Sequence, residues 1–145
     1  MNPFFIKTRG AAVIMLAVFL SPLSIRADIR LPDLLLNAQQ LMSKSSAGEA
    51  YEMLIKHEAE FAGDPKYDYI LGVSALDSER AGYAVLAFQR TLAVAPRFLG
   101  LARAYFRLGA YSDAEQEFSE VKQYNPPHNI KRSIQIWKWF FSAQN

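Results

Sequence analysis

Two arginines spaced one helical turn apart are the side chains of this sequence best suited to chemistry, and that chemistry is the recognition of anions. Arg103 and Arg107 are four positions apart, so a helix would present both guanidinium groups on one face. Each group can fork two hydrogen bonds onto a carboxylate of an acidic peptide. The alternative is that both are solvated charges, or that they pair with Asp77 and nearby glutamates. The residues that we expect to line a partner-binding groove are Tyr69, Val73, Asp77, Arg103, Phe106 and Arg107.

Catalysis and metal binding find no comparable support in the sequence. The only histidines are His57 and His128. His57 and Glu60 are three positions apart and could suggest a pair of metal ligands, but no obvious third ligand accompanies them. The sequence also contains no cysteine, no glycine-rich phosphate loop and no Gly-x-Ser-x-Gly elbow. We therefore predict a binding protein that is not an enzyme and that uses no metal and no cofactor.

The first 27 residues have the pattern of a secretory signal peptide. Lys7 and Arg9 precede an uncharged, apolar stretch, and Ala27 supplies a small residue suited to cleavage. The alternative is an uncleaved membrane anchor, although the apolar core is well short of the ~20 residues that a span needs. No cysteine follows the core, which excludes attachment of a lipid. We expect the mature protein to start near Asp28, to be periplasmic or secreted, and to have no stable membrane span after cleavage.

Removal of this segment changes the charge of the chain. Lys7, Arg9 and Arg26 leave with it, so 13 of the 16 basic residues remain against 14 acidic ones, and the net charge falls from +2 to −1. Non-specific attraction to nucleic acid is therefore not expected. The roughly 118 residues that remain are enough for one domain.

A set of small, aromatic and proline residues recurs at a separation of thirty positions. Small residues let two antiparallel helices pack closely, an aromatic ring fills the space between neighbouring helix pairs, and a proline ends the second helix. One copy consists of Leu71, Gly72, Ala75, Ala84, Phe88 and Pro96, and the next consists of Leu101, Ala102, Tyr105, Ala114, Phe118 and Pro126. A fainter copy upstream consists of Ala38, Leu41, Ala50, Leu54, Phe61 and Pro65.

This pattern resembles the tetratricopeptide repeat, in which Leu-Gly, Tyr, Ala, Phe and Pro occur in that order. The resemblance covers roughly residues 34 to 126 and implies an all-α fold. Antiparallel helical hairpins would stack as a short right-handed solenoid of about three repeats over residues 31–126, followed by a C-terminal capping helix over 127–145. The spacing predicts a helix starting at Pro32 and further helices over 47–61, 66–78, 82–94, 97–108, 112–124 and 127–142. The linker at residues 96–101 is about four residues shorter than the pattern leads us to expect.

The predicted last helix is more apolar than a cap requires. Ile130, Ile134 and Trp137 continue to Phe141 as one apolar stripe at helical spacing. Two interpretations remain: a wide hydrophobic interface with the preceding hairpin, or an aromatic end that docks on a partner or a membrane interface. The residues of this cap or alternative interface are Trp137, Trp139 and Phe140.

Several short sequence segments also resemble those of one group of repeat proteins. Gly63-Asp64-Pro65, Tyr67-Asp68-Tyr69 and Asn125-Pro126-Pro127 are similar to the N-terminal periplasmic module of outer-membrane proteins of the surface lipoprotein assembly modifier type. In such proteins the module precedes a membrane β-barrel and is thought to handle an exported client. The resemblance implies an exported scaffold for outer-membrane or surface-protein assembly. Its partner would be a protein or peptide, with an outer-membrane barrel protein or an exported lipoprotein as candidates.

The alternative is a truncated or split module of a repeat-plus-barrel exporter with no client of its own. It arises because the sequence up to Asn145 has no ten-residue alternating strands of the kind that build a barrel.

Overall fold

The computed structural model describes residues 30–92, 94–126 and 128–142, and all the regular secondary structure in these ranges is helical. The proposed signal peptide over residues 1–27 lies outside the described residues. Among the described residues there is no strand, which confirms the predicted all-α class. The elements in chain order are α1 (Leu31–Ser43), α2 (Ala47–Ile55), α3 (Glu58–Phe61), α4 (Pro65–Asp77), α5 (Ala81–Arg90), α6 (Ala95–Arg107), α7 (Tyr111–Val121), a 3-10 turn (Lys122–Tyr124) and α8 (His128–Ser142).

The same turn joins α1 to α2, α4 to α5, and α6 to α7. Each turn contains one residue in the left-handed region, with φ of 63° at Ser45, 66° at Glu79 and 76° at Gly109. The N–H group of the following residue then donates to the carbonyl five positions back, at 2.9, 2.8 and 3.0 Å respectively. This bond satisfies a carbonyl that the end of a helix leaves without a partner. Only the third turn uses glycine, the residue that adopts this conformation without steric cost.

The bounds of these helices recur at two spacings. The helices α1, α4 and α6 have 13 residues each and begin at Leu31, Pro65 and Ala95, which are 34 and then thirty positions apart. The helices α2, α5 and α7 begin at Ala47, Ala81 and Tyr111, with the same two separations. The predicted shortening at residues 96–101 is therefore misplaced, because these residues lie inside a full-length α6. The second separation is four residues shorter than the first, and the difference lies between the start of α5 and the start of α6.

The second predicted helix, over residues 47–61, is two helices in the structure. The hydroxyl of Tyr67 donates to the carbonyl of Leu54 at 2.6 Å, and the N–H of His57 donates to the same oxygen at 2.8 Å. The carbonyl thus bonds three residues ahead, and His57, with φ of −108° and ψ of 9°, leaves the helical region. The chain resumes as α3 at Glu58.

Two of the prolines predicted to end helices, Pro65 and Pro96, begin helices instead. Pro65 and Pro96 occupy the first turns of α4 and α6, where a missing N–H group costs nothing. α5 stops at Arg90 instead of Val94, and Thr91 is extended with ψ of 167°. The hydroxyl of Thr91 donates to the carbonyl of Phe88 at 2.9 Å, a local bond that competes with helix continuation.

One phenylalanine fixes the distance between α4 and α6. The ring of Phe88 is fully buried against Gly72 of α4 and Gly100 of α6. A Cβ atom built on Gly72 would lie 2.8 Å from this ring, and one built on Gly100 would lie 2.6 Å from it. Phe88 belongs to a core formed by α1, α2, α4, α5 and α6, whereas Phe118, Val121 and Ile134 form a second core between α6, α7 and α8.

Candidate partner-binding surface

The predicted groove residues on α4 follow one face of that helix. Tyr69, Val73 and Asp77 are spaced by four residues, which places their side chains one above another. Val73 is partly buried against the first core, while Tyr69 and Asp77 are exposed. α4 contacts both α1 and α6. We call the surface formed by these three helices the first-helix face.

Arg103 of α6 joins this face through an ion pair. Its Nη2 lies 3.3 Å from Oδ1 of Asp77, and the two side chains are 39% and 40% exposed. A pair of this exposure contributes little to folding stability, typically ~0.2–1 kcal/mol. Burial raises the pKa of Tyr69, while Arg103 lowers it and Asp77 raises it. The charges of Asp77 and Arg103 therefore both act on Tyr69. Of the two interpretations of Arg103, a ligand-binding group or a partner of Asp77, the structure shows the pair with Asp77.

The ring of Phe106 packs against α7 and α8. Its ring centroid lies 4.5 Å from that of Trp137 in an edge-on contact, and 5.3 Å from that of Tyr111. Phe106 is thus partly buried against the second core, because α8 covers this side of α6. Sequence spacing could not show which face α8 would cover.

Arg107 lies one turn beyond Arg103 and opens onto a different depression. It is exposed and lines a space of about 540 Å³ together with Leu108 and residues 79–83 of the turn between α4 and α5. Of the two arginines, only Arg103 has the ion pair with Asp77. Arg107 therefore supplies a positive charge at the turn end of the first-helix face.

An apolar cleft at the other end of this face was not predicted. It has a volume of about 910 Å³ and runs between the first turns of α1 and α4, with one wall from the α5–α6 connection. Leu36 and Leu92 expose 54% and 63% of their surface there, and Tyr69 exposes 38%. Its lining residues also include Leu31, Pro32, Leu35, Gln39, Lys66 and Ile70. The run Leu34-Leu35-Leu36 indicates that one leucine stays exposed, because three consecutive residues of a helix cannot all face one core.

The two tryptophans of the cap have different environments. Trp137 is partly buried, and its ring stacks on Phe118 at a centroid distance of 5.6 Å. Trp139 is 67% exposed. Trp137 therefore packs on the preceding hairpin, whereas Trp139 is exposed. The side chain of Phe140 lies outside the described part of the chain.

Sequence reasoning also missed an ionic network around one buried carboxylate. Asp68 is fully buried and accepts hydrogen bonds from the N–H of Gly63 and from Nε of Arg90, both at 2.9 Å. The Nη2 of Arg90 also lies 2.8 Å from Oε1 of Glu58. Burial by itself lowers the pKa of Arg90, but the bonds and charges of Asp68 and Glu58 outweigh it and raise the pKa overall. This network ties α3, α4 and α5 together.

The histidines do not build a metal centre in the part of the chain that the structure describes. Nδ1 of His57 lies 3.7 Å from Oε2 of Glu60, so the two residues predicted as neighbours do meet. Within residues 30–92, 94–126 and 128–142, however, no group of three His, Asp or Glu side chains is placed to hold a metal ion. In the same ranges, no helix has the length and hydrophobicity needed to cross a bilayer.

No protein-family model, curated protein or solved structure matches this chain.

Proposed function

We propose that this protein is a non-enzymatic scaffold that binds a peptide or protein partner on its first-helix face. The observation that carries the proposal is the apolar cleft at the N-terminal ends of α1 and α4. Leu36, Tyr69 and Leu92 remain exposed there around about 910 Å³ of open space. An apolar, concave surface with a few polar groups at its edge is typical of sites that accept a ligand.

The arrangement of charges extends this site along α4 and α6. Tyr69 borders both the cleft and the Asp77–Arg103 pair, so apolar and ionic contacts lie on one continuous face. A bound chain would place apolar side chains in the cleft. It would place an acidic group near Arg103 or Arg107, where a carboxylate competes with Asp77 for the guanidinium.

The proposal includes a right-handed solenoid of three tetratricopeptide-like hairpins. Its support is the recurrence of the helix starts at 31, 65 and 95, together with the same left-handed turn residue in each hairpin. The wedge of Phe88 between two glycines of successive first helices is the packing that such stacking needs. The separation of 34 between the first two hairpins equals the usual length of this repeat.

Export is the second part of the proposal and rests on the first 27 residues. We propose that the mature protein begins at Asp28 in the periplasm, where the partner would be an outer-membrane barrel protein or an exported lipoprotein. Mass spectrometry of the protein recovered from the periplasmic fraction should give the mass of a chain that begins at Asp28. Recovery from membranes with residues 1–25 intact would contradict export by cleavage.

Site-specific photocrosslinking in the periplasm tests the surface. A crosslinking amino acid at Leu36 or Leu92 should capture a discrete partner, whereas the same amino acid at Leu86, which is 55% exposed on α5, should not. Substitution of both Arg103 and Arg107 by glutamate should weaken capture at Leu36 and leave the helical circular dichroism unchanged. Equal capture from Leu36 and Leu86 would remove the first-helix face as the site.

A further inference from the structure

The apolar cleft between α1 and α4 lies where the chain enters the fold. Leu31 and Pro32, the first two residues of α1, form part of its lining. Arg30 precedes them in an extended conformation, with ψ of 134°. Residues 1–29 are therefore tethered to the fold at the wall of the cleft, whatever their own conformation is.

The chemistry of this tethered segment matches that of the cleft. Residues 11–20 read Ala-Ala-Val-Ile-Met-Leu-Ala-Val-Phe-Leu, and residues 10–25 contain no charge. We call residues 11–20 the apolar run. In the cleft, Leu36 and Leu92 expose 54% and 63% of their surface. Contact between the apolar run and these leucines would remove both from water, which is favourable.

The tether and the cleft have compatible dimensions. Residues 21–30 separate the apolar run from Leu31, and a tether of this length extends to at most about 35 Å. A helix has a diameter of about 10 Å and rises about 1.5 Å per residue, so the 910 Å³ of the cleft accommodates roughly two turns, about 11 Å in length. The tether is therefore long enough for the apolar run to fold back over the whole cleft.

The charges around the cleft favour an uncharged occupant. Among the lining residues, Lys66 is basic and Asp64 is acidic, and the others are uncharged. Oδ1 of Asp64 already accepts the N–H groups of Lys66 and Tyr67. A charged segment would lose hydration in the cleft for little compensation, whereas the apolar run has no charge to desolvate.

Tethering also favours the apolar run over an occupant from another molecule. A short flexible linker holds an attached ligand at an effective concentration in the millimolar range. A second copy of the chain, or a free partner, would have to reach a similar concentration or bind much more tightly to displace it.

We propose that the apolar run occupies the cleft as long as residues 1–27 remain attached, and that their removal opens the site. One water molecule hydrolyses the peptide bond between Ala27 and Asp28, which releases residues 1–27 with the apolar run. This regulation rests on the proposed function, because the cleft that it controls is the site proposed for the partner. The uncleaved chain keeps the cleft filled, and the processed chain offers Leu36 and Leu92 to a partner.

Disulfide formation in the full chain tests the contact directly, since the sequence has no cysteine of its own. One cysteine is introduced at each of residues 14–17 in turn, and the second by Leu36→Cys. The matched control uses Asn37→Cys, because Asn37 is exposed beside Leu36 but does not line the cleft. The full chain is synthesised in a cell-free system without membranes and oxidised mildly. At least one cysteine of the run should pair with position 36 roughly tenfold faster than with position 37, because a disulfide needs Cα atoms within about 7 Å.

A polar version of the apolar run separates binding from tethering alone. Val18→Ser, Phe19→Ser and Leu20→Ser together keep the length of the tether and change no residue of the helices. They should slow the disulfide at position 36 roughly tenfold, because the apolar contact is lost, and leave the slow disulfide at position 37 unchanged. Unchanged helical circular dichroism shows that each variant is folded.

A fluorophore reports the opening of the cleft. An environment-sensitive dye attached through Leu92→Cys should emit at longer wavelength after a signal peptidase removes residues 1–27, because water then reaches the dye. Unchanged emission after complete cleavage would contradict the opening.

Three disulfide results would overturn the proposal. Equal rates at positions 36 and 37 would show that the apolar run does not select the cleft. A rate at position 36 that the serine changes leave unaltered would assign the contact to the tether alone. A disulfide between two chains instead of within one would assign the cleft to a second copy. Since the assay contains no partner, its outcome is independent of whether photocrosslinking from Leu36 captures one.

Discussion

The packing of Phe88 makes a sharp prediction about Gly100. A Cβ atom added at this position would lie 2.6–2.7 Å from three carbons of the Phe88 ring, well inside van der Waals contact. The ring cannot retreat from α6, because its opposite neighbour is Gly72, where an added Cβ would already be 2.8 Å away. Gly100→Ala should therefore force α4 and α6 apart or push Phe88 from its favoured rotamer.

The expected size of the effect follows from two opposing terms. Overpacking a well-packed core costs about 1–3 kcal/mol. Replacing glycine by alanine inside a helix returns about 1 kcal/mol. The net loss for Gly100→Ala is then about 0–2 kcal/mol. Gly82→Ala is the matched control, because nothing lies within 4 Å of a Cβ built on Gly82 in α5, and it should instead gain up to about 1 kcal/mol.

Urea unfolding followed by circular dichroism measures this difference. The gain from replacing glycine is common to both variants, so their free energies of unfolding should differ by the overpacking cost of about 1–3 kcal/mol. With an m-value of about 1–3 kcal/mol/M, their midpoints should differ by roughly 0.3–3 M, with Gly82→Ala the more stable. Phe88→Leu combined with Gly100→Ala should cost less than the sum of the two single changes, because the smaller side chain removes the clash. Equal midpoints for Gly82→Ala and Gly100→Ala would refute the placement of Phe88 between α4 and α6.

Three other changes test the cores and the buried charges. Phe118→Ala should cost about 3–5 kcal/mol in thermal or urea unfolding, since its buried ring stacks on Trp137; a Tm within a few degrees of wild type would contradict this packing. Asp68→Asn should cost roughly 2–4 kcal/mol, somewhat less than the loss of a fully buried pair, because Arg90 is 33% exposed; a neutral effect would show that the pair is dispensable. Burial raises the pKa of Glu117, so the folded state holds this proton more tightly than the unfolded state does. The stability from Glu117 is therefore greatest at low pH and falls as pH rises above the unfolded pKa of about 4.3. Glu117→Gln should raise the Tm at pH 7 and reduce the loss of stability with rising pH. A lower Tm at pH 7 would contradict a raised pKa of Glu117 in the folded state.

Most of the helices could be predicted because their signals are local. The apolar spacing predicts a helix over 66–78, and α4 covers Pro65–Asp77. The pair Asp64-Pro65, which our prediction places at the end of the preceding helix, begins α4 instead, and Asp64 accepts the N–H groups of Lys66 and Tyr67 at 2.9 and 3.0 Å. The break before α3 could not be predicted, because it depends on a hydroxyl thirteen residues away that takes the carbonyl of Leu54. Propensity alone continues the helix through His57.

The candidate site was harder to predict than the helices. The repeat pattern predicted Tyr69, Asp77 and Arg103 as groove residues, with a pair between Asp77 and the arginines as the alternative to ligand binding, and the structure contains an Asp77–Arg103 ion pair. It could not place Phe106, whose surroundings depend on where α8 crosses α6 and α7. The cleft also required the folded chain, because Leu92 reaches α1 only through the position of the α5–α6 connection.

The four-residue difference between the two helix spacings lies in a connection, and this position explains why the first-helix face stays intact. The loss from 34 to thirty residues is about one helical turn, and it falls between α5 and α6, so α6 keeps all 13 residues. A loss inside α6 would have moved Arg103 away from Asp77, whereas a loss in the connection leaves α4 and α6 in register. The same connection places Leu92 in the wall of the cleft. Restoring four residues between Leu92 and Val94 should therefore preserve the Asp77–Arg103 pair and move Leu92 out of the cleft, which separates the ionic from the apolar contribution to binding.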